Sequence, residues 1–152
     1  TSESDVLAAG DSPVSLACVD PKSSERVSVG LACCFDLRFP MLLAEYGPRK
    51  AAADVLIAPS AFLEATGRDH WELLVRRTAL DNQCFVIAPN VAYQADDPVP
   101  LHGRSLIAGP WGDVLAECAF EGDGVAIAEA SPERLEEVRG KLPLGMAARW
   151  PL

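Results

Sequence analysis

Short apolar runs alternate with helical segments over the middle of this chain, and this alternation constrains the fold most. The apolar runs of strand length lie at residues 26–34, 55–59 and 84–89. Between them, Pro40 opens a short helix through about residue 46, and a longer helical pattern begins at Asp69, where Asp69 and Glu72 resemble a capping box. Because strands joined by helices lie side by side in right-handed crossovers, the sequence predicts an α/β fold with a largely parallel sheet.

Strands without intervening helices flank this parallel core on both sides. Residues 14–19 are expected to form a hairpin with the 26–34 strand, because turn-forming residues separate the two runs. After a polar loop, short apolar runs with tight turns between them follow at residues 105–108, 114–120 and 125–130. These runs should pair antiparallel, and a last helix begins near residue 131 and ends at Gly140. No repeat or linker divides the chain, so we expect one domain, or part of one, over residues 1–152.

Charge and hydropathy exclude several classes of function. Lys and Arg together number 13 and Asp and Glu together number 22, which gives a formal net charge of −9. Such an acidic surface repels phosphate backbones and anionic lipid headgroups, so we expect no nucleic-acid partner and no membrane partner. No apolar run approaches the roughly 20 residues that cross a bilayer, and the N-terminus lacks the basic stretch and apolar core of a secretory signal.

The cysteines and histidines limit which cellular compartment and which kinds of metal or redox site the sequence allows. The five cysteines are odd in number, form no CxxC pair and lie mostly in apolar runs, which favours a reducing compartment and a cytoplasmic protein. His70 and His102 are the histidines, and neither has a ligand-like neighbour at a useful spacing, so no metal site is expected. The first residue is Thr1 rather than Met, so we expect a processed chain or part of a longer protein.

Two adjacent thiols lie where the second strand ends and the helix at Pro40 is about to begin. Alternation places Cys34 on a face of small residues, and it places Cys33 on the face expected to meet the core, with Val27, Val29 and Leu31. The thiolate is the reactive form of a cysteine, a helix start favours it, and free N–H groups of the same turn can hold an oxyanion. Cys34 is therefore the candidate nucleophile. The alternative is that both cysteines only pack as small hydrophobes.

Motifs along the chain share their order with a known protein family. The segment from Gly30 to Pro40 reads GLACCFDLRFP, and PSAF follows at residues 59–62. HWELLVRR begins at His70, and later segments are PWG at residues 110–112 and LEEVR at residues 135–139. Together they resemble the nitrilase superfamily of carbon–nitrogen hydrolases, and in particular its Nit-like amidases. Because the motifs keep the family's order over nearly the whole chain, the resemblance is specific.

The resemblance implies a fold and a reaction. The family's domain is a four-layer α-β-β-α sandwich, of which this chain would supply the C-terminal portion. Cys34 would attack an amide carbonyl to form a thioester, and the backbone N–H of Phe35 would donate to the oxyanion. The family's general-base Glu and its Lys lie in the portion that would precede this chain, and Glu3 resembles a further carboxylate near the site. No cofactor is implied, and a homodimer or higher homo-oligomer is expected by analogy.

The resemblance also implies how a small-molecule amide would be bound. Arg38 would clamp a carboxylate of the substrate, because a guanidinium can make two parallel hydrogen bonds to it. Phe62 and Thr66 match positions that line the family's pocket. For each there is a structural alternative: an ion pair of Arg38 with Asp36, a core position for Phe62 and an ordinary loop position for Thr66. His70 suggests a Cys-His protease, which its place in a helix disfavours.

Three functions therefore remain at this point. The first is a cysteine-dependent amidase acting on carbon–nitrogen bonds other than peptide bonds, such as an ω-amide or a deaminated peptide like deaminated glutathione. The second is a catalytically inactive fragment or pseudoenzyme that acts as an interaction domain, because no Glu–Lys pair matches the family's catalytic motifs in this chain. The third is a thiol redox module, which the absence of a CxxC motif disfavours.

Overall fold

One mixed sheet with helices on both faces forms the fold. The structure, a computed structural model, describes residues 5–19, 21, 24–94 and 98–147. The strands are β1 Val14–Val19, β2 Arg26–Leu31, β3 Val55–Ile57, β4 Phe85–Ala88, β5 Leu106–Ala108 and β6 Val114–Glu117. The α-helices are α1 Pro40–Leu43, α2 Glu64–Asn82, α3 Pro132–Lys141 and α4 Leu144–Ala147, and two 3-10 helices span Cys34–Arg38 and Ala44–Tyr46.

The strands lie in the sheet in the order in which they occur in the chain. β2, β3 and β4 are parallel, whereas β1 pairs antiparallel with β2, and β5 and β6 continue antiparallel from β4. The predicted α/β fold, its parallel centre and its antiparallel flanks are confirmed. Because parallel strands all end at the same edge, this arrangement brings the residues after β2, β3 and β4 together.

Apolar side chains cover both faces of the sheet. The main core lies between the sheet and the helices α1 and α2, and its largest buried members include Leu43, Tyr46, Leu56, Trp71 and Val86. A smaller cluster of Val55, Phe85 and Leu135 lies on the opposite face, where α3 packs. Both faces of a parallel strand are therefore apolar, as its continuous apolar sequence predicts.

Helix α2 begins earlier than the sequence predicts. It starts at Glu64, so the proposed capping box of Asp69 and Glu72 is wrong: both residues lie inside the helix. Gly67 lowers the intrinsic helix propensity here. Its missing side chain nevertheless lets the helix lie against the ring of His102, because a Cβ on Gly67 would be 2.2 Å from His102 Cγ. Tertiary packing thus extends the helix toward its N-terminus.

The alternating run at residues 125–130 is not a strand. The described part of the sheet ends at β6, and residues 125–130 have no strand assignment. Val125 and Ile127 are 87% and 83% exposed, so their alternation does not place them against the core. An alternating pattern stabilises a strand only where a backbone partner and an apolar surface are available, and sequence alone does not supply them.

The small-residue face of β2 is a core face. A Cβ on Gly30 would lie 2.6 Å from Cδ1 of Tyr46, so the tyrosine ring fills the space that glycine leaves. The Tyr46 hydroxyl donates to the carbonyl of Leu31 at 2.5 Å and accepts from the N–H of Val14 at 3.1 Å. The close approach that the small residues predict is therefore made by Tyr46, which ties the end of β2 to the start of β1.

The structure also bears on the expected absence of a membrane span. None of the helices within the described ranges is both long enough and apolar enough to cross a membrane.

Candidate active site

The candidate site lies where the three parallel strands end. Beyond β2 and β3 the backbone hydrogen bonds continue across the loops: the N–H of Ala32 donates to Ile57 at 3.0 Å, and the N–H of Cys34 donates to Pro59 at 2.9 Å. Between the loops after β3 and β4, the N–H of Ser60 donates to the carbonyl of Pro89 at 2.8 Å. These bonds hold the loop that carries Cys34 against the neighbouring loop.

Cys34 occupies an unusual backbone conformation. Its φ is +44°, in the left-handed region that residues with a side chain rarely adopt, and it is the first residue of the Cys34–Arg38 3-10 helix. Its side chain is half-buried and packs against the main core. Non-glycine residues in such conformations cluster at functional sites, where the surrounding structure holds them. The geometry singles out Cys34 among the residues of this turn.

Cys33 does not point into the core as predicted. It is exposed, whereas Cys34 packs against the core. The prediction extended the β2 strand through Cys34, but the strand ends at Leu31. Strict alternation of side chains holds only within a strand, so it does not apply to the two cysteines.

Hydrogen bonds around Asp36 fix the turn that carries Cys34. Asp36 Oδ2 accepts the N–H of Cys33 at 2.8 Å, and the N–H of Asp36 donates to the carbonyl of Cys33 at 2.9 Å. From helix α2, Arg77 Nη2 donates to the carbonyl of Leu37 at 2.8 Å. The 3-10 helix is therefore held by hydrogen bonds within its own first turn and by a hydrogen bond from α2.

Phe35 presents a backbone donor next to Cys34. Its N–H lies in the first turn of the 3-10 helix, where no carbonyl within the helix is available to it. Within the described part of the chain no acceptor takes this N–H. The Phe35 ring is 64% exposed and contacts the edge of the Phe39 ring, with 5.4 Å between centroids. An N–H in this position can donate to an oxygen held beside the thiol.

Arg38 ends the same 3-10 helix and contacts two aromatic side chains. Its Nη1 and Nη2 each lie 3.3 Å from Nδ1 of His70, and its Cζ lies 5.4 Å from the centroid of the Phe62 ring. Asp36 is engaged with the backbone of Cys33 instead, and no ion pair joins it to Arg38 among the described residues. The structural alternative for Arg38, an ion pair with Asp36, is therefore not found among the described residues.

Phe62 and Thr66 differ in their surroundings. Phe62 is buried, and its ring lies 4.9 Å from the indole of Trp71, so it belongs to the core as well as to the contact with Arg38. Thr66 lies in the first turn of α2 rather than in a loop, where it is exposed and its Oγ1 donates to the carbonyl of Leu63 at 3.4 Å. Thr66 and His70 are one helical turn apart and share a face of α2.

Asn90 is an organising residue that the sequence analysis did not single out. Its buried amide accepts the N–H of Phe62 at 2.9 Å and donates to the carbonyl of Gly103 at 2.6 Å, while its own N–H donates to Ser105 Oγ at 2.9 Å. It therefore joins the loops after β3 and β4 to the loop before β5. The available signal was a polar residue directly after the buried strand that ends at Pro89.

The remaining candidate groups contribute little chemistry. Burial raises the pKa of the Cys84 thiol to about 12, so this cysteine is a packing residue. Within residues 5–19, 21, 24–94 and 98–147, no three His, Cys, Asp or Glu side chains come together in a way that could hold a metal ion. Glu3 lies outside the described residues, so its predicted role stays a prediction.

Comparisons with known proteins identify the family. The family model for carbon–nitrogen hydrolases matches residues 1–140. A deaminated glutathione amidase of Synechocystis is 44% identical over 116 residues, which are 76% of this chain and 42% of that protein. The mouse deaminated glutathione amidase is 38% identical over 124 residues, covering 82% of this chain and 38% of that protein. Among solved structures, Saccharomyces cerevisiae Nit3 of the nitrilase superfamily superposes with a TM-score of 0.83 at 33% identity, covering 97% of this chain and 51% of Nit3.

The chain belongs to the carbon–nitrogen hydrolase family, and the resemblance found in its motifs is confirmed. Its mixed sheet and helices have the α/β fold of the nitrilase superfamily. The chain spans about two fifths of the length of the curated relatives and about half of Nit3.

Proposed function

We propose that the protein containing this chain, as a member of the carbon–nitrogen hydrolase family, is a cysteine-dependent amidase with Cys34 as its nucleophile. The observation that carries the proposal is the left-handed backbone of Cys34 at the end of a central strand, beside the N–H of Phe35, which no acceptor among the described residues takes. The names of the relatives, deaminated glutathione amidases, support the hydrolysis of an amide.

The proposed reaction has two halves. The thiolate sulfur of Cys34 attacks the amide carbonyl carbon, a C–S bond forms, and the carbonyl oxygen becomes an oxyanion to which the N–H of Phe35 donates. The C–N bond then breaks and the nitrogen takes a proton. Ammonia leaves from a primary ω-amide, or the corresponding amine leaves from a substituted amide, and the acyl group stays on Cys34 as a thioester. Water attacks the thioester, releases the acid and regenerates the thiol. The family's Glu would move the protons and its Lys would stabilise the intermediate, and Glu3 would be a supporting carboxylate.

Arg38 is proposed to select amides that also carry a carboxylate. A buried or half-buried arginine normally meets a carboxylate, whereas this guanidinium lies on the Phe62 ring and against His70. Its charge is therefore available to a substrate anion. Phe62 would supply an apolar wall and Thr66 a hydroxyl, which suits a short dicarboxylic ω-amide or a deaminated peptide such as deaminated glutathione.

The proposed chemistry calls for no metal and no organic cofactor. The partner is a small-molecule amide, and a homodimer or higher homo-oligomer is proposed from the family resemblance alone. A cytoplasmic location likewise stays a prediction from the cysteines.

A second candidate function is a non-catalytic interaction domain. It is favoured by one observation, namely that residues 1–152 match only one of the family's three catalytic residues. The two candidates differ in whether the longest natural form of the protein hydrolyses any amide.

The experiment measures ammonia release from the monoamide of glutaric acid by the longest natural protein that contains these residues. Cys34→Ala is expected to lower kcat by about 10³-fold or more, because the covalent route is lost. Cys33→Ala is the matched control and should keep most of the activity, since its thiol is exposed beside the site. Equal losses in both variants, or full activity of Cys34→Ala, would contradict the assignment.

A further inference from the structure

The contact between Arg38 and His70 has a defined chemical direction. Arginine has five N–H donors and no acceptor, so Nδ1 of His70 accepts and the proton of the neutral ring is on Nε2. Both terminal nitrogens of the guanidinium lie 3.3 Å from that one atom. Nδ1 therefore faces the end of the guanidinium between Nη1 and Nη2. His70 thus holds the Arg38 side chain in place without neutralising its positive charge.

A rigid surface lies under the same guanidinium. Its Cζ is 5.4 Å from the Phe62 centroid, within the range of a cation–π contact. Phe62 is itself fixed, because its ring packs on Trp71 and its N–H is bound by Asn90 at 2.9 Å. Trp71 in turn donates from Nε1 to the carbonyl of Arg104 at 2.7 Å. The ring that carries Arg38 thus cannot shift without breaking core contacts.

We propose that His70 is a positioning residue that orients Arg38 for a substrate carboxylate and thereby sets the preference for acid-bearing amides. This inference rests on the proposed function, because it adds a residue to the specificity site of the same reaction. The imidazole and the Phe62 ring together restrict a long side chain that would otherwise sample many rotamers. Ordering the guanidinium before the substrate arrives lowers the entropy cost of binding the carboxylate.

A neutral acceptor suits this task better than a carboxylate would. Glu or Asp at position 70 would form an ion pair with Arg38 and compete with the carboxylate of the substrate. An imidazole nitrogen leaves the positive charge uncompensated and accepts only at the end of the guanidinium between Nη1 and Nη2. The edge formed by Nε–H and the adjacent Nη N–H is left to make two hydrogen bonds to a carboxylate. The exposed position of His70 on α2, one turn after Thr66, keeps it beside the groups assigned to substrate binding.

The test compares two substrates that share one carbon skeleton, the monoamide and the diamide of glutaric acid. His70→Ala is expected to raise KM for the monoamide by about threefold to tenfold, the usual effect of one lost hydrogen bond, and to leave kcat within about twofold. KM for the neutral diamide should not change. His70→Asn places an amide oxygen where Nδ1 was, so its KM for the monoamide should stay within about twofold of the parent.

The control variant is Leu73→Ala, an exposed position on the same helix. If altering α2 has a general effect on the site, Leu73→Ala will show it too. An equal rise of KM for the monoamide and the diamide in His70→Ala would assign His70 a structural role and overturn the proposal. So would an unchanged KM for the monoamide.

A second measurement separates this proposal from the proposed function. Glutarate should protect Cys34 of the parent from alkylation by iodoacetamide, and about threefold to tenfold more glutarate should be needed in His70→Ala. If the parent hydrolyses neither amide but this shift is observed, the amidase proposal fails and the role of His70 stands. If the parent turns over and the shift is absent, the role of His70 is refuted. If the parent shows neither turnover of the amides nor protection by glutarate, both proposals are overturned.

Discussion

The backbone N–H of Cys34 donates to the carbonyl of Pro59 at 2.9 Å while Cys34 itself has a φ of +44°. A left-handed conformation costs a residue with a side chain about 1–2 kcal/mol, and this bond to the loop after β3 helps to hold it. The bond continues the parallel pairing of β2 with β3, so the sheet directly positions the residue with the candidate nucleophilic thiol.

Packing at Gly30 supports the same strand end. Gly30→Ala should lower the free energy of unfolding by about 1–3 kcal/mol, because the new Cβ would lie 2.6 Å from Tyr46 and the Tyr46 hydroxyl is bound at Leu31. The measurement is urea denaturation. The matched control is Gly140→Ala in α3, where nothing lies within 4 Å of the added Cβ and about 0.5–1 kcal/mol of stabilisation is expected. Equal effects of the two substitutions would show that Tyr46 does not limit the space at Gly30.

Protonation of His102 should destabilise the fold below neutral pH. Burial first, and then the charge of Arg104, lowers the pKa of His102 below its usual 6.5, and its buried Nδ1 has no hydrogen-bond partner within the described part of the chain. As pH falls below about 6.5 the unfolded chain takes up a proton that the folded chain does not, so stability decreases until the lowered folded pKa is passed. Well above pH 6.5 both states are unprotonated at this group, so it no longer contributes to the pH dependence of stability.

The check for His102 is the free energy of unfolding measured at pH 7.5 and at pH 5.5. His102→Gln should reduce the loss of stability between the two values, whatever its effect at pH 7.5. If His102→Gln loses as much free energy of unfolding between pH 7.5 and pH 5.5 as the parent does, His102 is not a source of the pH dependence of stability.

Much of the architecture could be predicted from the sequence, because its signals are local. The apolar runs of β3 and β4 and the Pro at the start of α1 mark their own elements. The start of α2 was not predictable in this way, since it depends on Gly67 meeting His102, which is 35 positions away in the chain. The alternating residues 125–130 show the converse, a local pattern without a partner among the described residues.

The candidate site was only partly predictable for the same reason. Cys34 was identified from its place between a strand and a helix, but the exposure of Cys33 depends on β2 ending at Leu31. The contact of Arg38 with His70 joins positions 32 residues apart. Asn90 acts through three loops at once, so no single stretch of sequence contains its role.

Substitution of Arg38 tests the proposed specificity directly. Arg38→Lys should lower kcat/KM for acid-bearing amides by the equivalent of about 1–3 kcal/mol, because a point charge cannot replace a planar fork that makes two hydrogen bonds. Neutral amides should be spared. The measurement is steady-state kinetics on the monoamide and the diamide of glutaric acid, and equal losses on both would indicate that Arg38 only supports the fold.

Residues 1–152 alone should have no amidase activity above background, although Cys34 is intact. Each positioned proton-transfer group or oxyanion donor is typically worth about 10²-fold or more, and the family's Glu and Lys are unmatched in these residues. Ammonia release by residues 1–152 is compared with release by the longest natural protein. Turnover by the short chain that disappears in Cys34→Ala would place all catalytic partners within these residues.

Trapping the acyl-enzyme tests the central assignment of Cys34 most directly. Turnover of the glutaric acid monoamide by the longest natural protein is quenched with acid, and the peptide containing both cysteines is analysed by mass spectrometry. We expect the mass of one glutaryl group on this peptide in the parent and in Cys33→Ala, and its absence in Cys34→Ala. A glutaryl adduct that persists in Cys34→Ala, or that disappears in Cys33→Ala alone, would contradict it.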